Sequence, residues 1–514
     1  MTKPSASQGA EYSPDFATFE TLYNDGKAQV LATRLVADLE TPVSAFLKLT
    51  DRHGDNSFLF ESVEGGAVRG RYSVIGLRPD VIWRCNGDKA EINRHVVDGG
   101  TEFEPVDEPS LDAIRTLLTQ SQLELDESLP PMSAGIFGYM SYDTVRLMEE
   151  LNTSKPDPLQ APDAIFIRPT LMVIFDAIKD ELTMVRRTEP CEGVSAAEAY
   201  EQAVIDLNTA TVDLNAPVPH QAHSSVLDEK FEEPSSNTSK SKYLKMVRAA
   251  QEYIKAGDIF QVVLSQRFSA PFKLPPFSLY RALRRTNPSP FLYFLNFADF
   301  SIIGSSPEIL VRARDNKVTV RPIAGTRPRG TTQIEDMAFS KELLEDPKEC
   351  AEHLMLLDLG RNDVGRVCEL GTVSVTDQFF IEYYSHVMHI VSNVEGELSP
   401  QCDEIDALMA GFPAGTVSGA PKVRAMEIID ELEADKRGIY AGCVGYFSAN
   451  GEMDSCIVLR TAVVKDEMMY VQAGAGIVAD SKPLSEHKEC VNKAKALFKA
   501  REEAVRFASQ KSNL

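Results

Sequence analysis

The sequence predicts an α+β protein in which most of the sheet is antiparallel. Apolar runs of strand length follow one another in groups, whereas a parallel sheet would need a helix between successive strands. No repeat of 20–50 residues is visible, so a solenoid is not indicated. The predicted strands are 57–61, 72–77 and 171–175 in the first half, and 259–268, 291–297, 301–310, 317–323, 441–447, 456–464 and 468–473 in the second.

Helices are predicted between these groups of strands. One covers 243–256 and ends at Gly257, since glycine commonly terminates helices. Another begins at Asp346 and Pro347, because Asp caps a helix and Pro suits its first turn. A third runs from about residue 484 to 507, where apolar residues recur at helical spacing.

Composition along the chain predicts four segments. Residues 1–13 are polar and form a flexible N-terminus, and 14–207 form an N-terminal region. Residues 208–241 are rich in Pro, Ser, Thr and Asn, which favours a linker or an exposed crossover. Residues 242–508 form the second, denser region.

Charge and composition exclude several classes of protein. A net charge of −23 argues against binding to nucleic acid or to an anionic membrane. No apolar run reaches the roughly 18 residues that a membrane span needs, and no apolar signal core follows the N-terminus. Eight scattered cysteines without a C-x-x-C pair predict reduced thiols and a cytoplasmic location.

Two familiar motifs are present only in part. Gly474 to Ala479 matches G-x-G-x-x-A. A dinucleotide site, however, needs a helix that begins immediately after the motif and an acidic residue about 20 positions later, and here residues 480–483 delay the helix. Cys443 lies between small residues, but Val444 to Phe447 continue as a strand where a nucleophile elbow would turn into a helix. We therefore predict neither a Rossmann site nor a glutaminase in this chain.

Two acid-x-x-acid pairs lie near the starts of predicted helices. Glu349 with Glu352, and Glu486 with Glu489, each place two carboxylates on one helical face, and such oxygens suit Mg²⁺. Spacing alone is weak evidence, because 76 acids among 514 residues give about 11 such pairs by chance, most of them on solvated faces.

Polar residues also interrupt apolar strands of the second half. They are Gln261, Glu308 and Arg460, and each needs a partner if it is buried. A structural ion pair and a ligand site both remain open at this point.

Together, six segments resemble the chorismate-utilising enzymes: 323–330 (IAGTRPRG), 346–353 (DPKECAEH), 358–363 (DLGRND), 387–392 (VMHIVS), 415–422 (GTVSGAPK) and 472–478 (QAGAGIV). The likeness covers 242–500, and Phe60 to Ser62 with Gly70 to Ser73 extend it to the first half. It implies large, mostly antiparallel sheets packed as a sandwich with helices outside.

Two positions select among the activities of this family. Isochorismate and salicylate synthases carry a water-activating Lys where this chain has Gln261. Folate-branch aminodeoxychorismate synthases typically carry a nucleophilic Lys where this chain has Ala324. The resemblance therefore implies attack by ammonia and an anthranilate product, the first step of tryptophan biosynthesis. The alternatives are the folate-branch synthase component and a catalytically inactive subunit that only binds tryptophan.

The resemblance also implies roles for individual residues. It assigns Mg²⁺ to Glu352 and Glu489, with Glu349 and Glu486 in the outer shell. The implied catalytic residues are the general acid Glu308, His389 in the elimination of pyruvate, and Gln261. The implied chorismate contacts are Thr326, Thr416, Tyr440, Arg460, Gly474, Gly476 and Lys493.

A partner and an inhibitor are implied in the same way. Because this chain lacks a glutaminase, ammonia would come from a glutamine amidotransferase subunit in a hetero-oligomer such as a heterotetramer. Tryptophan would inhibit from a distinct site shared by both halves; the less favoured alternative is that 287–290 is a tight turn packed on ordinary core. The implied tryptophan residues are Glu61, Ser62, Arg71, Pro288, Ser289, Pro290, Phe291, Val444 and Tyr446.

Overall fold

The structure is a computed structural model that describes residues 11–51, 54–62, 70–151, 155–219, 232–384 and 387–511. It confirms the α+β class. The strands are Tyr12–Ser13 (β1), Gln29–Val36 (β2), Ser57–Glu61 (β3), Tyr72–Asn86 (β4), Lys89–Asn93 (β5), Glu104–Pro105 (β6), Gly135–Met140 (β7), Ala164–Asp176 (β8), Glu181–Thr188 (β9), Ser235–Ser236 (β10), Gln261–Pro271 (β11), Phe291–Asn296 (β12), Phe300–Ser306 (β13), Ile309–Arg314 (β14), Lys317–Val320 (β15), Ile323–Pro328 (β16), Ser374–Tyr383 (β17), Val387–Glu397 (β18), Gly419–Ala420 (β19), Cys443–Ser448 (β20), Met453–Ile457 (β21), Thr461–Lys465 (β22) and Met468–Ile477 (β23).

Helices cover much of the remaining described chain. They are Phe16–Asn24 (α1), Pro42–Thr50 (α2), Ser110–Ser121 (α3), Ala196–Asn215 (α4), Lys240–Ala256 (α5), Pro276–Thr286 (α6), Gln333–Glu345 (α7), Pro347–Gly365 (α8), Glu404–Gly411 (α9), Lys422–Leu432 (α10) and Pro483–Lys511 (α11), with a short 3₁₀ helix at Tyr142–Leu147. No helix in the described ranges is both long and apolar enough to cross a membrane.

The strands form two antiparallel sheets that diverge from a long central pair, β4 and β8. One sheet runs through β2, β9, β8, β4, β3, β12, β13, β22, β23 and β11 in spatial order. The other runs from β8 through β7, β20, β21, β14, β15 and β18, and β16 and β17 flank β18. The Ala164 end of β8 pairs with β7 and its Asp176 end pairs with β9, so this strand belongs to both sheets.

The two halves of the chain do not fold as separate bodies. Strand β3 of the first half pairs with β12 of the second, and β7 pairs with β20. The main hydrophobic clusters likewise mix residues of both halves, such as Trp83 with Val262 and Leu59 with Phe294. A cavity that lies between the sheets is therefore lined by both halves.

Local signals position the helices that carry candidate site residues. Asp346 caps α8 by accepting hydrogen bonds from the backbone N–H groups of Lys348 and Glu349, at 3.0 and 3.3 Å. Gly257 ends α5 with φ of 86°, a left-handed conformation that suits glycine. Both helix boundaries agree with the sequence prediction.

Several predicted boundaries were wrong, among them that of the run at 317–323, which divides into β15 and the start of β16. The apolar run at 301–310 divides into β13 and β14 at Pro307, which has no backbone N–H to donate to a ladder. The run at 456–464 divides into β21 and β22 at Arg460, where φ is 47°. Helix α4 continues to Asn215, so the first part of the expected linker at 208–241 is helical, while 220–231 lie outside the described residues.

Candidate active site

A cavity of about 640 Å³ opens between α11 and the turn that follows α6. We call it the α11 cavity. It is lined by Asn287, Pro288, Tyr384, Val387, Arg460, Ser485, Lys488, Glu489, Asn492, Lys493 and Ala496. Of the residues predicted to act on substrate, Arg460, Glu489 and Lys493 lie on its wall. The others lie beside it and connect to it through the contacts described below.

Arg460 is the most buried cation of this wall. Its left-handed backbone is rare for a residue with a Cβ, and such conformations cluster at functional sites. Burial lowers the pKa of its guanidinium, against the pull of Glu308. No carboxylate in the described part of the chain forms an ion pair with Arg460. An anionic ligand would therefore meet a cation that is not neutralised by a salt bridge.

Lys493 is a second cation of the wall. Its Nζ lies 2.8 Å from Oε1 of Glu489, one helical turn earlier, and donates a hydrogen bond to the carbonyl oxygen of Gly474 at 3.0 Å. A Cβ at position 474 would lie 2.8 Å from the hydroxyl oxygen of Tyr440. Glycine at this position therefore lets Tyr440 and β23 approach each other closely.

Glu308 lies between β13 and β14, next to these cations. Burial raises the pKa of its carboxyl above the usual range. A hydrogen bond of 3.0 Å from Oγ1 of Thr416, together with the charges of Arg460 and Lys493, acts in the opposite direction. A carboxyl with a raised pKa is suited to give up a proton near neutral pH.

His389 on β18 contacts the cavity wall through Tyr384, and their ring centroids are 5.3 Å apart in an edge contact. Its Nδ1 lies 3.1 Å from the carbonyl oxygen of Gly325 and 3.0 Å from Oγ1 of Thr326. Because a carbonyl can only accept, Nδ1 carries the proton and Nε2 of the neutral ring is a proton acceptor. Burial lowers the pKa of His389 to about 4, so the ring stays neutral at physiological pH.

The four acids of the two acid-x-x-acid pairs lie on α8 and α11. Burial, followed by the charge of Glu349 and then that of Glu489, raises the pKa of Glu352. Burial and the charge of Glu489 also raise the pKa of Glu486. The negative charge of Glu349 is partly balanced by Arg327, whose Nη1 lies 3.4 Å from Oε1 of Glu349.

This arrangement fits a hydrated divalent cation. Among the described residues, no group of three or more His, Cys, Asp or Glu is spaced to enclose a metal by itself. Mg²⁺, however, usually keeps several waters and takes only one or two carboxylates. Glu352 and Glu489 come from different helices and repel each other electrostatically, which a cation between them would relieve.

Gln261, at the start of β11, is 4% exposed, and its side-chain amide partly offsets the rise in the pKa of the Glu352 carboxyl. Its Oε1 is buried without a hydrogen-bond partner. A Cβ at position 476 would lie 2.6 Å from its Nε2, so Gly476 leaves room for the Gln261 amide in this position. Such an unsatisfied oxygen beside the carboxylates is an acceptor available to a ligand.

A second cavity, of about 670 Å³, lies between the two sheets, and we call it the inter-sheet cavity. Its wall includes all nine residues that the sequence suggested for tryptophan: Glu61, Ser62, Arg71, Pro288, Ser289, Pro290, Phe291, Val444 and Tyr446. They come from the end of β3, the residue before β4, the turn before β12, the start of β12, and β20, so both halves of the chain contribute.

The expected polar groups of this cavity are already paired. Glu61 accepts hydrogen bonds from Tyr280 and from Arg284, whose Nε lies 2.8 Å from Oε2. Arg71 Nη2 lies 2.8 Å from Oδ2 of Asp176. In contrast, Oγ of Ser289 is buried and has no hydrogen-bond partner.

Sequence reasoning missed several residues of both walls. Lys488 and Asn492 share the face of α11 that carries Glu489 and Lys493, and the i, i+4 spacing was a signal that could have found them. Arg321, Glu382 and Tyr384 line the inter-sheet cavity without any sequence signal, since isolated charges on strands are common.

Cys443 does not resemble a nucleophile. It is the first residue of β20, it is 2% exposed, and burial raises the pKa of its thiol to about 12. A reactive cysteine needs a lowered pKa and access to substrate. This environment agrees with the prediction that Cys443 does not serve a glutaminase.

Comparison with known proteins places the chain in a family. Residues 78–499 match the family described as chorismate binding enzyme. The anthranilate synthase component 1 of Cereibacter sphaeroides is 54% identical over 498 residues, which are 97% of this chain and 99% of the relative. The Pseudomonas putida protein of the same name is 47% identical, over 91% of this chain and 94% of its own.

Solved structures agree with these relatives. Anthranilate synthase component I from Streptococcus pneumoniae superposes with a TM-score of 0.73 at 37% identity, over 90% of this chain and 98% of that one. MenF, the menaquinone-specific isochorismate synthase of Escherichia coli, shares the fold with a TM-score of 0.69 at 18% identity, over 95% and 100%. The chain belongs to the chorismate-binding enzymes and, within them, to the anthranilate synthase component 1 family.

Proposed function

We propose that this chain converts chorismate and ammonia into anthranilate and pyruvate, the first step of tryptophan biosynthesis. The observation that supports it most is that a protonatable Glu308 lies close enough to interact electrostatically with Arg460, which forms no salt bridge with any described residue and lines the α11 cavity. Relatives at 47–54% identity carry the name anthranilate synthase component 1. Gln261 and Ala324 occupy the positions where water-using and folate-branch enzymes carry Lys.

Chorismate is a dicarboxylate, and three cations, Arg460, Lys488 and Lys493, line the α11 cavity. Arg460 and Lys493 would bind its carboxylates, since charge-assisted hydrogen bonds to carboxylates are among the strongest in proteins. Their positive charge would also make the local electrostatic potential favourable to an anion. This is needed because the chain as a whole carries a net charge of −23, which repels an anion.

Glu308 then acts as general acid. Its raised pKa keeps a proton available for the C4 hydroxyl, which leaves as water while the ring double bonds shift and ammonia adds at C2. The resulting aminodeoxyisochorismate still carries the enolpyruvyl ether. Thr416, which donates to Glu308, would hold the carboxyl in position for this transfer.

Glu352 and Glu489 would hold Mg²⁺, with Glu349 and Glu486 contacting its waters. A bound Mg²⁺ would supply Lewis-acid stabilisation of charge on the ring carboxylate. Gln261 lies beside Glu352 and would help to keep that carboxyl ionised, and its Oε1, which has no hydrogen-bond partner among the described residues, would accept a hydrogen bond from water or from ammonia.

His389 assists the elimination that follows. With Nδ1–H held by the Gly325 carbonyl, Nε2 is free to accept the C2 proton as the C–O bond to pyruvate breaks and the ring becomes aromatic. Its low pKa means that this acceptor is neutral throughout the physiological range.

We predict that His389→Phe stalls the reaction after amination. The variant retains a ring against Tyr384 but has no proton acceptor, so aminodeoxyisochorismate should accumulate and anthranilate formation should fall about 10²-fold or more. Chromatography of the reaction products measures both compounds. If anthranilate forms at the wild-type rate, His389 takes no part in the elimination.

The same residue predicts a pH dependence. The pKa of His389 is lowered to about 4, so the ring loses its acceptor only when pH falls towards that value. The wild-type elimination rate, measured on isolated aminodeoxyisochorismate, should therefore stay constant from pH 8 down to about 5 as far as this group is concerned. A decline centred near 6.5 that His389→Phe removes would contradict the assignment.

Nitrogen would come from a separate glutamine amidotransferase subunit in a hetero-oligomer. The chain has no reactive cysteine at 443, and component 1 in the names of its relatives implies a second component. We also place the enzyme in the cytoplasm, because its eight cysteines are all unpaired, as in a reducing compartment.

Tryptophan would inhibit the enzyme from the inter-sheet cavity. The cavity combines aromatic and aliphatic walls with a few polar groups, which is the usual character of a site for such a ligand. Since Glu61 and Arg71 already have partners, the Ser289 hydroxyl, which has none among the described residues, is better placed to meet its polar end.

We predict that Ser289→Ala weakens tryptophan inhibition. The serine hydroxyl is buried without a partner, so its loss costs the empty protein little but removes one hydrogen bond to the ligand. The tryptophan concentration for half inhibition should rise about 5- to 10-fold with ammonia-dependent kcat nearly unchanged. An unchanged inhibition curve would mean that Ser289 does not contact the inhibitor.

Product analysis tests the proposed function. Purified chain with chorismate, Mg²⁺ and an ammonium salt should yield fluorescent anthranilate and pyruvate in equal amounts, faster at alkaline pH where more ammonia is free. Glutamine should replace ammonium only after the amidotransferase subunit is added. Stable aminodeoxychorismate would indicate the folate-branch activity, and no turnover would indicate a regulatory subunit.

A further inference from the structure

The two cavities share part of one wall. Among the residues that the structure describes, only Pro288 and Tyr384 line both the α11 cavity and the inter-sheet cavity. Pro288 has no side-chain hydrogen-bonding group. Tyr384 has a hydroxyl and an aromatic ring, and each meets a different set of partners.

The hydroxyl of Tyr384 is held on the inter-sheet side. It donates a hydrogen bond of 3.0 Å to Oε2 of Glu382, and Glu382 forms an ion pair with Arg321. Arg321 and Glu382 both line the inter-sheet cavity, and each side chain is about a third exposed. Burial and the charge of Glu382 raise the pKa of the phenol, so it remains a neutral donor.

The aromatic ring of Tyr384 contacts a different group, the imidazole of His389. Its edge contact with His389, with centroids 5.3 Å apart and planes at 69°, fixes one side of the imidazole. The backbone of Tyr384 is anchored independently, because its N–H donates to the Val387 carbonyl at 2.8 Å and its own carbonyl accepts from Arg329 at 2.6 Å. A change at Glu382 would therefore be taken up by rotation of the side chain.

We propose that Tyr384 is a positioning residue that couples the inter-sheet cavity to His389 and the α11 cavity. This inference rests on the proposed function. An amino acid carries an ammonium and a carboxylate, and Arg321 with Glu382 forms a pair of matching charges that such a ligand would engage. When the ligand binds Glu382, this carboxylate no longer accepts the hydrogen bond from the Tyr384 hydroxyl. The Tyr384 ring then moves and loses its contact with His389.

Coupling of this kind is reciprocal. If tryptophan in the inter-sheet cavity disfavours chorismate in the α11 cavity, chorismate must weaken tryptophan binding by the same factor. The factor can be measured by equilibrium binding alone, without turnover, when ammonium is left out. The hydroxyl of Tyr384 should be necessary for the coupling but not for binding of either ligand by itself.

The experiment is calorimetric titration of L-tryptophan into the full chain with Mg²⁺, with and without saturating chorismate, in ammonium-free buffer. Wild type should show about 10-fold weaker tryptophan binding when chorismate is present. In Tyr384→Phe both ligands should still bind, and chorismate should weaken tryptophan binding by less than about 2-fold. Tyr383→Phe is the matched control, because Tyr383 lines only the inter-sheet cavity, and its factor should equal that of wild type.

A second variant separates the ring from the hydroxyl. Tyr384→Leu should lose the coupling and also slow anthranilate release from isolated aminodeoxyisochorismate, with little change in KM, whereas Tyr384→Phe should slow it less. Wild-type coupling in Tyr384→Phe, with both ligands bound, would overturn the role of Tyr384 and leave the proposed function intact. Absence of tryptophan binding to wild type would overturn both the coupling and the proposed inhibitor site.

Discussion

Replacing Glu308 by Gln is expected to lower kcat by about 10²- to 10⁴-fold, the range that a general acid contributes. The amide has the shape of the carboxyl and keeps the hydrogen bond with Thr416 possible, but it cannot give a proton to the departing C4 hydroxyl. Because Arg460 and Lys493, the proposed substrate-binding cations, are unchanged in this variant, KM should change less than threefold. Steady-state kinetics with ammonium as nitrogen donor measure both constants.

A buried acid elsewhere provides the control for this variant. Asp143 lies outside both cavities, and burial raises its pKa to about 6. Asp143→Asn should leave kcat within about threefold of wild type, since it removes a buried carboxyl that has no role in the chemistry. If Glu308→Gln and Asp143→Asn have similar kcat values, the loss reflects general disturbance of the interior and Glu308 is not the acid.

Glu352→Gln is expected to remove Mg²⁺ binding and to lower activity by at least about 10²-fold. The pKa of Glu352 is raised by burial and by neighbouring carboxylates, so its ionised form is costly to the protein until a cation is bound. A neutral amide at this position removes the unfavourable free energy of the buried negative charge. Thermal unfolding without Mg²⁺ should therefore occur at the same temperature as wild type or slightly higher, while calorimetry should detect no Mg²⁺ binding.

Glu404→Gln is the matched control for the metal prediction. Glu404 begins α9, burial raises its pKa, and it lines neither cavity. This variant should bind Mg²⁺ with wild-type affinity. If Glu352→Gln binds Mg²⁺ as wild type does, the cation is not held by the pair of carboxylates on α8 and α11.

Short-range signals in the sequence were sufficient for the α+β class and for the helix ends at Gly257 and Asp346. The helix ends depend on residues within one turn of the position concerned, and the class depends on how strand-length apolar runs group along the chain. The division of 456–464 into two strands was not predictable in this way. Arg460 adopts a left-handed conformation that its residue type does not favour, and the surrounding ladders impose it.

Long-range pairing explains what the sequence left out of the candidate sites. Glu61 and Arg71 were expected to offer charge to a ligand, but their partners, Arg284 and Asp176, lie 223 and 105 positions away along the chain. No local pattern connects such pairs. The wall that Tyr384 shares between two cavities likewise depends on how β17, β18 and the turn before β12 meet in space.

The most direct test of this account is a crystal structure of the chain soaked with chorismate and Mg²⁺ in ammonium-free buffer, where no amination can follow. We expect chorismate in the α11 cavity, with its carboxylates at Arg460 and Lys493 and its C4 hydroxyl within hydrogen-bonding distance of Glu308. Electron density for chorismate in the inter-sheet cavity, or in the α11 cavity with the C4 hydroxyl turned away from Glu308, would contradict it.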